Sequence, residues 1–352
     1  MARRRVRSGP WARLFASSLK AIARSSSRAI AASVAGNIAG NIARPSAHAV
    51  SKALKSGVDA LKPPPGPGDW IPGVAIGVAG ARRYRLYRPP GVMPGERLPL
   101  VVMLHGCGQD AKGFATSTRM NRIAARHRFA VLYPEQDRLA NAQGCWNWFD
   151  TRSGRTQGEV ALIMKAIDQV CLLYPVDRTR IAVAGLSAGA SMAALLATKY
   201  PGRFKAVVMH SGIPPGTARS TLSALGAMRG RRSATAPVAD ADATAVAWPA
   251  LMVIHGGMDV VVSARNGQAA VQLWADAKGA TAGQARSVQR GQRHAMTVTD
   301  FKSGRRTVAR WVEVGRLGHA WSGGAAGQAF SDAQGPDASR MAWAFALKQF
   351  EA

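Results

Sequence analysis

The stretch 180–199 constrains the fold more than any other part of the sequence. An apolar run, Ile181-Ala182-Val183-Ala184, leads into Gly185-Leu186-Ser187-Ala188-Gly189, which continues directly into a helical pattern over 188–199 that Pro201 stops. A strand that passes straight into a helix needs a sharp turn, and the two glycines let strand and helix approach closely around it. The run itself reads as a buried strand, so the chain must supply helices to cover it.

The sequence after residue 80 supplies them. Arg83–Arg88 reads as an outer strand, and Leu98–Leu104 as a buried one ending in His105-Gly106. Further strands are expected at Phe129–Tyr133, Arg180–Ala184, Ala206–His210, Leu251–His255 and Val308–Val314. Helical patterns fall at 117–127, 158–173, 188–199, 265–279 and 337–350. This alternation predicts an α/β fold, a mostly parallel sheet with helices on both faces. Residues 215–247 interrupt it without a clear period and read as a cap insertion or a plain loop. Pro63-Pro64-Pro65-Gly66-Pro67-Gly68 opens an expected linker over 63–79, which separates residues 1–62 from a catalytic domain over 80–352.

The net charge of +28 is unevenly spread. Residues 1–62 hold twelve Lys or Arg against the single acid Asp59, a net +11. Trp11, Leu14, Phe15 and Leu19 fall there at helical spacing, which reads as a basic amphipathic helix; a disordered or transit-like tail is the competing reading. Such a segment suits an anionic or apolar surface. The sequence shows no specific nucleic-acid-binding motif. It also lacks the roughly 18 uninterrupted apolar residues of a membrane span. The basic start has no clean apolar core of a secretory signal. The odd count of three cysteines in a long chain argues against a disulfide scaffold.

Ser187 is the candidate nucleophile, because the strand–turn–helix setting projects its hydroxyl at the top of the sheet. A serine needs a base, and the base needs an orienting acid. His319, in Gly318-His319-Ala320-Trp321 after the strand Val308–Val314, is the candidate base, with His294 as rival. Asp259 follows the buried strand and Gly256-Gly257, which suits it to orient an imidazole; Asp300 and Asp332 follow no core strand. The backbone N–H groups of Ala188 and Cys107 are the candidate oxyanion donors, and His105 reads as a structural hydrogen-bonding residue. Trp146, Trp148 and Trp321 are candidate substrate-binding residues; the cluster Cys145–Phe149 reads equally as core. No metal or other cofactor is expected.

Leu104-His105-Gly106-Cys107, Tyr133-Pro134-Glu135-Gln136, Cys145-Trp146-Asn147-Trp148-Phe149, Gly185–Gly189 and Gly318–Gly324 occur in this order. Together they resemble the polyhydroxybutyrate depolymerase family of esterases, which includes feruloyl and acetylxylan esterases, over about residues 80–350. The resemblance implies the α/β-hydrolase fold and hydrolysis of hydroxyalkanoate polyesters or related esters through an acyl-enzyme. It implies Ser187, Asp259 and His319 as the triad, with the Cys107 loop in the oxyanion hole. It also implies a Cys107–Cys145 bridge, which would not persist in a reducing cytosol. Much of the family is extracellular; without a clear signal peptide, an intracellular, granule-associated protein is the alternative. A feruloyl or acetylxylan-type esterase and a non-catalytic surface binder remain the competing functions.

Overall fold

The computed structural model of the chain describes residues 63–234 and 248–351. The amphipathic helix expected within 1–62 lies outside them, as does the 235–247 part of the insertion.

In chain order the elements are β1 (Asp69–Gly77), β2 (Gly80–Arg88), β3 (Leu98–Leu104), α1 (Ala111–Thr118), α2 (Met120–His127) and β4 (Ala130–Pro134). Then come α3 (Arg155–Leu173), β5 (Val176–Leu186), α4 (Ala188–Lys199), β6 (Ala206–His210), α5 (Thr221–Met228), β7 (Ala250–Gly256) and α6 (Ala264–Asp276). Short strands β8 (Thr281–Ala282) and β9 (Arg286–Val288) precede β10 (Met296–Ser303) and β11 (Arg306–Val314). β12 (Trp321–Ser322), β13 (Ser331–Asp332) and α7 (Ala338–Phe350) complete the described chain.

The main sheet runs β1-β2-β4-β3-β5-β6-β7-β11-β10-β8. From β4 through β11 every neighbouring pair is parallel, and antiparallel pairs flank this block on both sides. Successive side chains of a strand point to opposite faces, so a strand covered on both must be apolar throughout. β3, β4 and β6 are buried at every position. Val101 and Met103 join one core with Phe114 of α1, Ile123 of α2 and Trp343 of α7. Leu100 and Val102 alternate with them and face the opposite layer, where α3, α4 and α6 pack.

Four expectations change. The linker over 63–79 contains β1, a full strand of the sheet. Its glycine serves close packing: a Cβ on Gly73 would lie 2.1 Å from the Tyr84 ring, and Tyr87 Oη donates to Pro67 O at 2.7 Å. The helix over 117–127 is instead two, because Arg119 takes φ 55° and ends the first at Thr118. Residues 215–234 are more than a loop, since α5 starts with a reciprocal Ser220–Ser223 cap. β10 adds a strand to the expected set; only Met296 and Val298 of it are buried, and most of its residues are polar.

The C-terminal helix closes one layer through Trp343, which stacks on Phe129 at 3.9 Å with planes 12° apart. Trp343→Ala is expected to cost about 3–5 kcal/mol through the lost burial and the cavity left behind. The check is the urea-unfolding midpoint.

Candidate active site

Ser187 takes φ 56° and ψ −121° at the junction of β5 and α4. A non-glycine residue held there stores about 1–3 kcal/mol of strain, so the surroundings must enforce it. Two glycines make that possible. A Cβ on Gly185 would meet the Gly189 carbonyl carbon at 2.4 Å, and one on Gly189 would meet Leu104 O at 2.1 Å. The Ser187 N–H donates to His210 O at 2.9 Å, which fastens the turn to the neighbouring strand β6. The next amide, at Ala188, opens α4, where helix N–H groups lack intrahelical acceptors and favour negative charge.

The acid and the imidazole sit on the loops after β7 and β11. His319 Nδ1 lies 2.7 Å from Asp259 Oδ2. The other carboxylate oxygen accepts the N–H groups of Val261 at 3.0 Å and Val262 at 2.9 Å. His255 Nε2 stands 3.5 Å from Asp259 Oδ2 while bonding Val262 O at 2.9 Å. Burial opposes the carboxylate's charge, but His319 and the hydrogen bond from His255 outweigh it and hold Asp259 well below the usual carboxylate range. A carboxylate fixed in this way donates no proton, so the hydrogen bond to His319 is one that Asp259 accepts from Nδ1. The loops themselves are locked together: Met258 N donates to Leu317 O at 3.0 Å, and a Cβ on Gly256 would meet the same oxygen at 2.2 Å.

The Cys107 loop is built differently. Gly108 takes φ 77°, and Cys107 is bridged to Cys145 with the two Cα atoms 4.3 Å apart. Behind the bridge lies a buried polar network centred on Glu159 of α3. Its carboxylate accepts from Gln136 Nε2 at 2.6 Å, Asn147 N at 2.8 Å and Asn147 Nδ2 at 2.5 Å. Burial raises the Glu159 pKa, while these donors and Arg82 pull the other way. Gln136 Nε2 also donates to Cys145 O at 2.9 Å, and Arg82 donates to Gln136 Oε1. Sequence reasoning missed Glu159 and Arg82, since single charges in helix or strand patterns look like surface residues. His105 is structural here, with Nδ1 2.8 Å from Gly106 O and Nε2 accepting from Gln136 N at 3.1 Å.

The tryptophan assignments need correction. Trp146 and Trp321 are fully buried, and their indole N–H groups donate to His105 O at 3.1 Å and Ser339 Oγ at 3.1 Å. Neither has a face left for substrate; they wedge the loops that carry the site. Trp148 is also buried, packed edge-on against Phe149. The rivals are engaged elsewhere: His294 Nε2 lies 3.3 Å from Asp332, and Asp300 is shared by Arg286 and Arg310. No metal-binding cluster of His, Cys, Asp or Glu occurs among the described residues. Among the same residues, no helix is long and apolar enough to cross a membrane.

The family model for esterase PHB depolymerases matches residues 82–292, more than half of the chain. The chain belongs to the esterase PHB depolymerase family. The poly(3-hydroxyalkanoate) depolymerase C of Paucimonas lemoignei is 32% identical over 206 residues, 54% of this chain and 47% of that protein. A probable acetylxylan esterase A of Aspergillus clavatus is 25% identical over 208 residues, 54% of this chain and 65% of that protein. The chain thus spans less than two thirds of either relative. The acetyl xylan esterase from Aspergillus awamori superposes with TM-score 0.57 at 18% identity, covering 72% of this chain and 94% of that one. The family member described here therefore has the α/β-hydrolase fold.

Two measurements follow from the buried groups. Burial pushes His105 down to about 4 and His210 down to about 3. The unfolded chain protonates both below about 6.5, so their contribution is complete above that pH. Stability should then fall as the pH drops from about 6.5 towards 4, by up to about 1.4 kcal/mol per pH unit for each histidine. Urea midpoints at pH 7 and pH 5 read this directly. Separately, Glu159→Leu leaves three donors without their acceptor and should lower the unfolding free energy by about 3 kcal/mol or more, measured in urea at pH 7.

Proposed function

We propose that this chain hydrolyses carboxylic esters through an acyl-enzyme on Ser187, with short-chain polyhydroxyalkanoates as its substrate class. The observation that carries the reading is the buried Asp259–His319 contact at 2.7 Å, on the sheet edge that holds the strained Ser187 turn. His319 takes the Ser187 proton as the hydroxyl attacks the ester carbonyl, and Asp259 stabilises the imidazolium. The N–H groups of Ala188 and Cys107 receive the oxyanion. His319 then returns the proton to the leaving alcohol and activates water to release the acid.

Two observations favour a polyester over a sugar-linked ester. The depolymerase relative is 32% identical over the same share of this chain as the acetylxylan esterase at 25%. Met258 and Val260, which flank Asp259, are 63% and 86% exposed and set apolar side chains beside the site. The feruloyl or acetylxylan-type reading is the second possibility, supported by the relatives of those names. A non-catalytic surface binder would have no use for the strained serine and the buried Asp259–His319 hydrogen bond. The Cys107–Cys145 bridge favours an oxidising compartment. An anchoring role for residues 1–62 on an anionic or granule surface is part of the same proposal.

Ser187→Ala should abolish hydrolysis of p-nitrophenyl butyrate with the unfolding midpoint unchanged, and Asp259→Asn should lower kcat by on the order of 10³–10⁴. Clearing of amorphous polyhydroxybutyrate, compared between full-length protein and a chain starting at Gly68, tests substrate and anchor. Clearing by the full-length chain alone assigns residues 1–62 to the polymer surface. Cleavage of the soluble ester with no clearing by either chain favours the second reading.

A further inference from the structure

His210 is fully buried and is the last residue of β6, between the strand that presents Ser187 and the strand that leads to Asp259. Its backbone and its ring face two different parts of the site. The carbonyl oxygen accepts the Ser187 N–H at 2.9 Å. Ring atom Nε2 accepts the Ser322 N–H at 3.1 Å, three residues beyond His319. The ring also lies against Trp321, with centroids 5.0 Å apart and planes at 27°. Ser322 Oγ donates to Pro336 O at 2.6 Å, and Ala320 N closes a tight turn on Gly318 O at 3.0 Å. The segment from Gly318 to Ser322 is therefore short, tethered beyond His319, and held to β6 through this imidazole.

An N–H donor at Nε2 requires a lone pair there. The ring must then be neutral with its proton on Nδ1, which stands 3.3 Å from Ser211 Oγ. Burial is the main reason it stays neutral; the neighbouring His255 and His319 rings act in the same direction while Asp259 opposes it. The same single residue thus ties down the nucleophile's backbone and the base's loop, and it does not compete for the proton that His319 handles.

On the strength of these contacts, and resting on the reading of Ser187 and His319 given above, we propose that His210 is a positioning residue that sets the spacing between the nucleophile and its base. It touches no reacting atom. Its removal would leave the Ser322 N–H without an acceptor and let the His319 loop shift. A displacement near 1 Å at a catalytic base lowers turnover by about 100-fold, with little change in substrate binding.

The test compares His210→Phe, which keeps an aromatic ring against Trp321 and removes the acceptor, with His210→Gln, which keeps an acceptor. Hydrolysis of p-nitrophenyl butyrate is followed across pH, beside wild type and Ser187→Ala. The expected result is a drop of about 10–100-fold in kcat for His210→Phe with KM within about twofold. The acid limb of its pH profile should move, and His210→Gln should recover most of the loss. Wild-type kcat and pH profile in His210→Phe, or equal losses in both variants, would overturn the assignment. An active Ser187→Ala would instead overturn the reading of the nucleophile and leave the role of His210 to be judged on another site. Should His210→Phe fail to fold, ¹⁵N spectra of the histidine rings in the wild-type protein decide. His210 is expected to hold the neutral Nδ1–H form from pH 5 to 9, and a ring that takes up a proton in that range overturns the proposal.

Discussion

The contact between Gly189 and the carbonyl of Leu104 is the constraint on which the site is built. Helix α4 can start directly above β3 only because no side chain intervenes; a Cβ there would sit 2.1 Å from an oxygen. That approach places the helix N-terminus over the parallel strands and forces Ser187 into positive φ. Strain at Ser187 is tolerable because the core on both faces of the sheet resists any relaxation of β5 and α4. The strained residue and its support are one mechanical unit.

Around that unit the loops are fixed by polar groups largely withdrawn from water. Glu159 gathers Gln136 and Asn147, whose segment carries Cys145 and so restrains Cys107. Asp259 binds two backbone amides besides His319. In each case a buried carboxylate is surrounded by donors that leave it one geometry. Positioning is thus assigned to polar side chains, while the apolar layers give the sheet its rigidity.

Much of this was legible in the sequence where a local rule acts. The two glycines beside Ser187 announce a close approach, and Asp259 follows a run of apolar residues that can only be a buried strand. The pairing of Asp259 with His319 was expected from the order in which an α/β-hydrolase chain carries such residues, and the two lie 2.7 Å apart. Tertiary packing hid the rest. Nothing local to Trp146 or Trp321 says which side of a loop the indole takes, and both are wedged inward. β10 carries few apolar residues because it lies beyond β11 near the sheet's edge. Glu159 looked like an ordinary helix carboxylate until the strand–loop segments folded over it. Residues 63–79 read as linker because proline and glycine also serve tight packing against Tyr84 and Tyr87.

The wedge at Trp321 has a consequence for the order in which the molecule is completed. Its indole bonds Ser339, whose hydroxyl in turn donates to Thr118 O at 2.6 Å, 221 residues away along the chain. Arg119 likewise reaches the carbonyl of Gly323. The early helices and the last one therefore meet across the loop that holds His319. During synthesis the strands up to β11 precede this clasp, and residues near 339 must leave the ribosome before the loop of His319 has a fixed place. The segment around His319 is therefore clasped only after α7 has been made, so the order of its closure is written into the topology.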